Sequence, residues 1–119
     1  MRAVLEKNGE CLIESVEVAA SPWARMKGLL GRRQLDPGSA LLLSPCSSVH
    51  TFFMRFSLDL IFLDGDRRVV RVARNVAPYR MVSGGMRARE TLEVSSGWLS
   101  ESAAHQGDRV ILLPEADRH

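Results

Sequence analysis

A chain of 119 residues, with 45% hydrophobic and 25% charged residues, has the length and composition of one globular domain, residues 1–119, with a core of its own. These values exclude a disordered chain, and no apolar run approaches the about 18 residues that a membrane-spanning helix needs. The formal net charge of +2 does not by itself indicate a partner. The N-terminus shows no signal-peptide pattern, so we expect a cytoplasmic protein unless a leader has been removed.

The first two elements are predicted to form a β-hairpin. RAVLE and ECLIE are short runs with alternating apolar residues, and they flank Lys7-Asn8-Gly9. Asn-Gly favours a tight turn, because both residues accept positive φ. The next run, SVEVAAS, has apolar residues at Val16 and Val18, and we expect it to continue the second strand.

A helix is predicted to begin at Ser21-Pro22, since serine accepts hydrogen bonds from the first turn and proline fits the first helical position. Gly31 is a plausible end of this helix. Its apolar stripe consists of Trp23, Met26, Leu29 and Leu30. ALLLS, residues 40–44, indicates a short buried strand.

The most apolar stretch is HTFFMRFSLDLIFLD, residues 50–64, and it has the periodicity of a strand. Every even position from Phe52 to Phe62 is apolar. This alternating stretch is too long for one unbroken strand in a small domain, so we expect a bend near Ser57. Asp64-Gly65-Asp66 predicts a turn, and RVVRVAR, residues 68–74, predicts the partner strand of a hairpin.

Residues 75–87 are predicted to form a long loop, because they contain Pro78 and Ser83-Gly84-Gly85, and long loops are often functional. TLEVS (91–95) and RVILL (109–113) indicate two more strands, and GWLSESAAHQ (97–106) a short helix. The pattern predicts a mainly β fold, a compact barrel or sandwich of short strands with one helix in the N-terminal half and one short C-terminal helix. The alternative is an α+β domain with the first helix packed on an open sheet.

Four segments together resemble a known family: RMKGLLGR (25–32), HTFFMRFSLDLIFLD, LEVSSG (92–97) and GDRVIL. Their order and intervals, over about residues 16–113, are similar to those of the bacterial and archaeal family called domain of unknown function 192. The resemblance implies a compact, mostly β domain and no particular activity. Many members of that family carry secretion leaders, and this chain departs from them. The family's recurring polar positions correspond here to Arg25, His50, Thr51, Arg55, Asp59 and Glu93.

Arg55 and Asp59 are the first candidates for a site. On a continuous strand they would share a face about 13 Å apart, but a bend at Ser57 would let them converge on a ligand. Arg55 would then bind an anionic or hydroxylated ligand, and Asp59 would accept hydrogen bonds from it. The structural alternative is that Asp59 caps a turn and Arg55 pairs with a surface acid. Arg25 could join Asp59 or Glu93 in a buried network.

His50 raises two further hypotheses. With Asp59 it could act as a general base toward the hydroxyl of Thr51, Ser47 or Ser48, although no Gly-x-Ser-x-Gly motif supports acyl transfer. With Cys46 it forms a single Cys-x-x-x-His pair, which is weak because a structural zinc takes four protein ligands. The other ligands would have to come from Cys11, His105 and His119. We therefore predict no metal and no cofactor.

The most basic part of the chain contains Arg67, Arg68, Arg71, Arg74, Arg80, Arg87 and Arg89. Tyr79 is the one aromatic residue in that part, so base stacking has little support and nucleic-acid binding is not favoured.

The sequence favours a binding module for a small polar ligand, either a carbohydrate or an anionic metabolite. The six family positions would supply the ligand contacts, and the loop 78–86 would form the rim. The alternatives are a cofactor-independent hydrolase that uses His50 and Asp59, and an interaction or assembly protein that pairs through its apolar strand. No oligomeric state is predicted.

Overall fold

The computed structural model describes residues 1–19, 38–51, 56–99 and 104–114. Within these ranges the chain forms strands and turns and contains no helix. The strands are β1 (Arg2–Leu5), β2 (Cys11–Ile13), β3 (Ser15–Ala19), β4 (Ser39–Leu43), β5 (Ser48–His50), β6 (Leu58–Leu63), β7 (Val69–Val76), β8 (Met81–Ser83), β9 (Glu90–Ser95) and β10 (Val110–Leu113). The prediction of a mainly β domain is therefore confirmed. No helix able to span a membrane occurs among the described residues.

The strands form three sheets, with the orders β10-β1-β2, β3-β4-β9-β6-β7 and β5-β8. In the five-stranded sheet β3 and β4 are parallel, and the other neighbours are antiparallel. None of these sheets closes on itself, because β3 and β7 form the two edges of the largest one. Of the two predicted alternatives, a barrel or a sandwich, the barrel is therefore wrong. The apolar faces are covered by other sheets instead of by closure.

Two apolar clusters lie on opposite faces of the five-stranded sheet. The first includes Ile13 of the three-stranded sheet together with Ile61 and Leu92. The second includes Val49 of β5 together with Leu60. As a result all six residues of β6 are buried, although the alternating pattern predicted a polar outer face. A strand covered on both faces has no solvent side for its odd positions.

The helix predictions have different outcomes. The first predicted helix, from Ser21 to Gly31, lies outside the described residues. The second covered 97–106, and it is wrong at both of its described ends, 97–99 and 104–106, which are not helical. The amide of Trp98 donates to the Ser95 carbonyl at 3.1 Å and closes a turn, which Gly97 permits with a φ of 85°.

The long central stretch divides between two sheets, since β5 pairs with β8 whereas β6 lies in the five-stranded sheet. Ser57 lies between the strands, as the predicted bend requires, and its carbonyl accepts a hydrogen bond from Ser96 N at 3.3 Å. The predicted loop 75–87 contains β8, which the sequence did not reveal because Val82 is its one inward-facing apolar residue.

The early strands follow the predicted hairpin and then depart from it. β1 and β2 are antiparallel, and Gly9 has the positive φ, 68°, that the turn requires. β3 does not continue β2, because the amides of Glu14 and Ser15 both donate to the Gly38 carbonyl, at 3.1 and 3.0 Å. These bonds direct the chain into the larger sheet. The predicted β6–β7 hairpin is confirmed.

The first prediction concerns Gly84, which packs against the Phe62 ring. A Cβ atom at Gly84 would lie 2.7 Å from the Ala88 Cβ and closer still to that ring. We expect Gly84→Ala to lower the free energy of unfolding by about 1–3 kcal/mol, because the core has no room for the methyl group. Urea unfolding measures this. Gly65→Ala is the matched control, since a Cβ there meets nothing within 4 Å. Equal stability of the two variants would contradict the prediction.

Candidate functional site

Four of the six predicted site residues lie in the described structure, and Arg25 and Arg55 lie outside it. Asp59 and Glu93 stand on adjacent strands of the five-stranded sheet. His50 is the last residue of β5, and Thr51 follows it. The positions of these four residues decide which of them can act together.

The sheet separates Asp59 from Glu93. Asp59 pairs directly with Val94, and Leu60 pairs directly with Glu93. Paired residues on adjacent strands share a face, and successive residues on one strand point to opposite faces. Asp59 therefore lies on the face of the first apolar cluster, to which Val94 belongs, and Glu93 on the face of the second, to which Leu60 belongs. These two carboxyls cannot contact one ligand on a single face.

Asp59 lies opposite a β-bulge. Leu58 pairs with Val76 and Leu60 with Ala73, so two residues of β7, at positions 74 and 75, oppose Asp59 alone. The second of them is in the left-handed conformation, with a φ of 54°. Asparagine at position 75 tolerates that conformation better than most residues. At this bulge the backbone amide of Asn75 donates a hydrogen bond to the Asp59 carboxyl.

The Asp59 carboxyl holds three chain segments together. Its Oδ1 accepts a hydrogen bond from Asn75 N at 2.7 Å, and its Oδ2 accepts one from Gly97 N at 3.3 Å. Ser96 Oγ donates to Asn75 Oδ1 at 2.9 Å and joins the same two segments. The side chain is 2% exposed. These contacts correspond to the structural alternative, in which Asp59 caps a turn.

Glu93 has a different environment. It is 6% exposed, and its direct neighbours across the sheet are Leu41 and Leu60. The hydrogen bonds within the described parts of the chain include none to its carboxyl, and neither carboxyl oxygen is both fully buried and unpartnered. Burial raises the pKa of Glu93 from 4.5 to about 7, because the apolar surroundings disfavour the charged form. We name the surface formed by Leu41, Leu60 and Glu93 the Glu93 face.

The Thr51 hydroxyl is occupied by the backbone of the following loop. It donates to the Ala77 carbonyl at 2.7 Å and accepts from Arg80 N at 2.9 Å. The Thr51 carbonyl accepts from Tyr79 N at 2.9 Å, and Tyr79 has a φ of 62°. Thr51 therefore fixes a strained turn that leaves the Tyr79 side chain 71% exposed.

His50 and Asp59 do not form the pair that a hydrolase would need. His50 is exposed, whereas its neighbour Val49 points inward to the second cluster, which covers the face of the sheet opposite to Asp59. The described residues also contain no group of three His, Cys, Asp or Glu that could hold a metal. Cys46 Sγ donates instead to the Ser48 carbonyl at 3.1 Å.

Sequence reasoning missed one feature, a cleft that brings together Arg67, Arg89 and Arg109. The first two were noted only as members of a basic stretch. Their convergence depends on strand order, since β10 comes from the far end of the chain. The available signal in the sequence was an arginine just after each of two turns: Arg67 after the turn at Gly65, and Arg109 after the turn at Gly107.

The class of protein is now defined: a small domain of layered, open β-sheets with a buried carboxyl in its central sheet. The chain matches the family of domain of unknown function 192, described as an uncharacterised ACR, over residues 3–112, and it belongs to that family.

Relatives agree with this assignment. The UPF0127 protein PH1112 of Pyrococcus horikoshii is 38% identical over 64 residues, which make up 54% of this chain and 55% of that protein. A crystal structure of a protein of unknown function from Novosphingobium aromaticivorans has a TM-score of 0.80 at 23% identity, and the alignment covers 94% of this chain and 84% of that one. A proposed transcription regulator from Sinorhizobium meliloti has a TM-score of 0.77 at 23% identity, over 92% and 89%. At these identities the two structures show a shared fold alone.

The second prediction concerns Asp59. We expect Asp59→Asn to lower the free energy of unfolding by about 1–3 kcal/mol, because the amide keeps one acceptor oxygen for two buried backbone donors. Chemical denaturation measures the loss. Asp64→Asn is the matched control, since Asp64 Oδ1 also accepts from two backbone amides, Asp66 N at 2.8 Å and Arg68 N at 2.9 Å, in an exposed turn. An Asp59→Asn variant no less stable than the control would show that these contacts are unimportant.

The third prediction follows from the raised pKa of Glu93. Between pH 4.5 and about 7 the unfolded chain releases this proton while the folded chain keeps it, so stability falls as pH rises. We expect wild type to lose about 3 kcal/mol relative to Glu93→Gln across that window, and to lose little more above it. Unfolding free energies measured at a series of pH values check this. Glu17→Gln, on an exposed position of β3, should follow wild type. A constant difference between wild type and Glu93→Gln would contradict it.

Proposed function

We propose that this domain binds a small polar ligand at the Glu93 face. The observation that carries the proposal is a buried carboxyl between two leucines with no hydrogen-bond donor from the described residues. Such a group destabilises the fold, and leucine at position 93 would continue the apolar face. Polar groups that oppose stability in this way are typical of binding and active sites.

The environment of Glu93 favours a hydroxylated ligand, of which a carbohydrate is the leading class. A carboxylate accepts hydrogen bonds from hydroxyl groups, which a carbohydrate carries in number. An anionic metabolite is the second class, and it would need the positive charges of Arg25 and Arg55 beside Glu93. Both arginines remain predicted members of the site.

The other predicted residues have supporting places in this proposal. His50 is exposed and directly precedes Thr51, and we retain it as a proposed ligand contact. Thr51 acts by fixing the turn at Tyr79, within the loop 78–86 that would form the rim. Asp59 acts by holding the bulge and the turn at Gly97, on the other side of the sheet. Binding is favoured over hydrolysis because His50 and Asp59 lie on different sides.

The fourth prediction is the direct test. The thermal unfolding of wild type is measured with a panel of monosaccharides, disaccharides and polyols, and with a second panel of small organic anions. We expect members of the first panel to raise the Tm, since a ligand at about 100 times its Kd adds about 2.7 kcal/mol. Glu93→Gln should lose this effect. Affinity should also rise as pH rises through about 7, because hydroxyl donors prefer the ionised Glu93.

Glu17→Gln serves as the control, since it removes one carboxylate from an exposed strand position and should bind like wild type. Stabilisation by the anion panel alone, lost on replacing Arg25 or Arg55, would select the second ligand class. Equal stabilisation of wild type and Glu93→Gln would show that the Glu93 face is not the site. If no compound on either panel stabilises wild type, the proposal fails.

A further inference from the structure

A cleft of about 620 Å³ opens beside β10, between the turn at Gly65 and the segment Ser44–Pro45. Its volume is within the range of about 300–1,000 Å³ that is usual for small-molecule sites. Part of the lining is apolar, from Pro45 and from Val110 to Leu112 of β10, and part is strongly polar. This combination of an apolar wall with a few polar groups is typical of a binding site.

Three arginines line the cleft, and other parts of the protein fix each of them. Arg67 Nε donates to Glu90 Oε1 at 3.0 Å. Arg89 Nη1 donates to the carbonyls of residues 86 and 88, at 2.9 and 3.1 Å. Arg109 Nε donates to the Asp66 carbonyl at 3.1 Å, and its Nη1 to Glu6 at 3.0 Å. A guanidinium has five N–H donors, so each arginine keeps donors for a ligand while its orientation is set.

The charges of the cleft favour an anion. Its lining contains three arginines and two acids, Asp66 and Glu90. Glu90 is already paired with Arg67, and Arg109 is paired with Glu6, which does not line the cleft. The Arg89 side chain, by contrast, donates its hydrogen bonds within the described chain to two carbonyls, which carry no net charge. Arg89 is therefore the guanidinium best placed to bind an added negative charge.

The backbone adds a donor of its own. Glu6 N donates to the Arg109 carbonyl, so residues 6 and 109 form a hydrogen-bonded pair of the β1–β10 ladder. Such pairs alternate in an antiparallel ladder, and Ala3 with Leu112 is consequently a non-bonded pair. The N–H of Leu112 then points away from β1 to the outer side of β10, the side on which Val110 N donates to the Arg67 carbonyl at 2.9 Å and on which Leu112 lines the cleft.

We propose that this cleft is a second binding site, specific for a small organic oxyanion that bears a carboxylate or a phosphate group. Arg89 makes the principal contact, Arg67 and Arg109 flank it, and the Leu112 amide donates to the same anion. The apolar wall of β10 packs against the body of the ligand. The site is separate from the Glu93 face and does not depend on what binds there.

The fifth prediction tests this site by NMR titration of the isotope-labelled full chain with succinate and, separately, with inorganic phosphate. Ionic strength is held constant with sodium chloride, because screening alone would change the signals of exposed arginines. We expect saturable shifts at the amides of Arg67, Arg89 and Leu112. Stronger binding of succinate would identify a carboxylate ligand, and stronger binding of phosphate a phosphorylated one. Arg89→Gln should weaken binding by about tenfold or more, because a charge-assisted hydrogen bond is lost.

Arg87→Gln is the matched control, since it removes one positive charge two residues from Arg89 without changing the lining. Wild-type affinity is expected for this control and for Glu93→Gln, which separates the result from the proposed function. Arg89→Lys keeps the charge without the guanidinium fork and should bind with intermediate affinity, so it replaces Arg89→Gln if that variant does not fold. Shifts that fail to saturate, or equal weakening by Arg87→Gln and Arg89→Gln, would overturn the proposal and indicate diffuse attraction.

Discussion

The burial of both faces of β6 is the constraint on which the rest of this domain depends. All six residues of the strand are buried, so it must have neighbours at its edges and covering layers above and below. The three-stranded sheet covers one face and the β5–β8 pair packs on the other. Gly84 shows how closely the second layer approaches, since even a methyl group there would collide with the Phe62 ring. Layering on both faces explains why the sheet remains open.

Asp59 and Glu93 are acids on adjacent strands, at neighbouring positions of the β6–β9 pairing, and their carboxyls have different environments. The Asp59 carboxyl accepts two backbone amides, so its burial is compensated and its removal would leave donors unsatisfied. The Glu93 carboxyl lies between leucines, and its pKa rises to about 7 because nothing in the described chain offsets its desolvation. The first acid stabilises the fold, and the second opposes it. This difference gives a physical reason for placing function at Glu93.

Local signals in the sequence predicted local structure well. Asn8-Gly9 and the turn at Asp64 each join antiparallel strands, because their backbone preferences act within a few residues. Features set by distant contacts could not be predicted in this way. Strand alternation placed Asp59 on a polar face. The sheet that covers this face, β10-β1-β2, is formed by strands from both ends of the chain. The cleft arginines likewise meet through contacts between distant segments, since Val110 N donates to the Arg67 carbonyl and Arg89 N to the Leu63 carbonyl.

Burial raises the pKa of Glu93 far enough to distinguish this carboxyl from the apolar core residues around it. A pKa raised from 4.5 to about 7 corresponds to about 3 kcal/mol near neutral pH, a large part of the 5–15 kcal/mol that stabilises a typical domain. One substitution to leucine would remove that penalty and extend the contacts of Leu41 and Leu60. The two similar structures share the fold at 23% identity, and this similarity does not account for a buried carboxyl among the apolar residues of the central sheet. A ligand of the kind we propose would account for it, because hydrogen bonds donated to the carboxylate would offset its desolvation in the bound state.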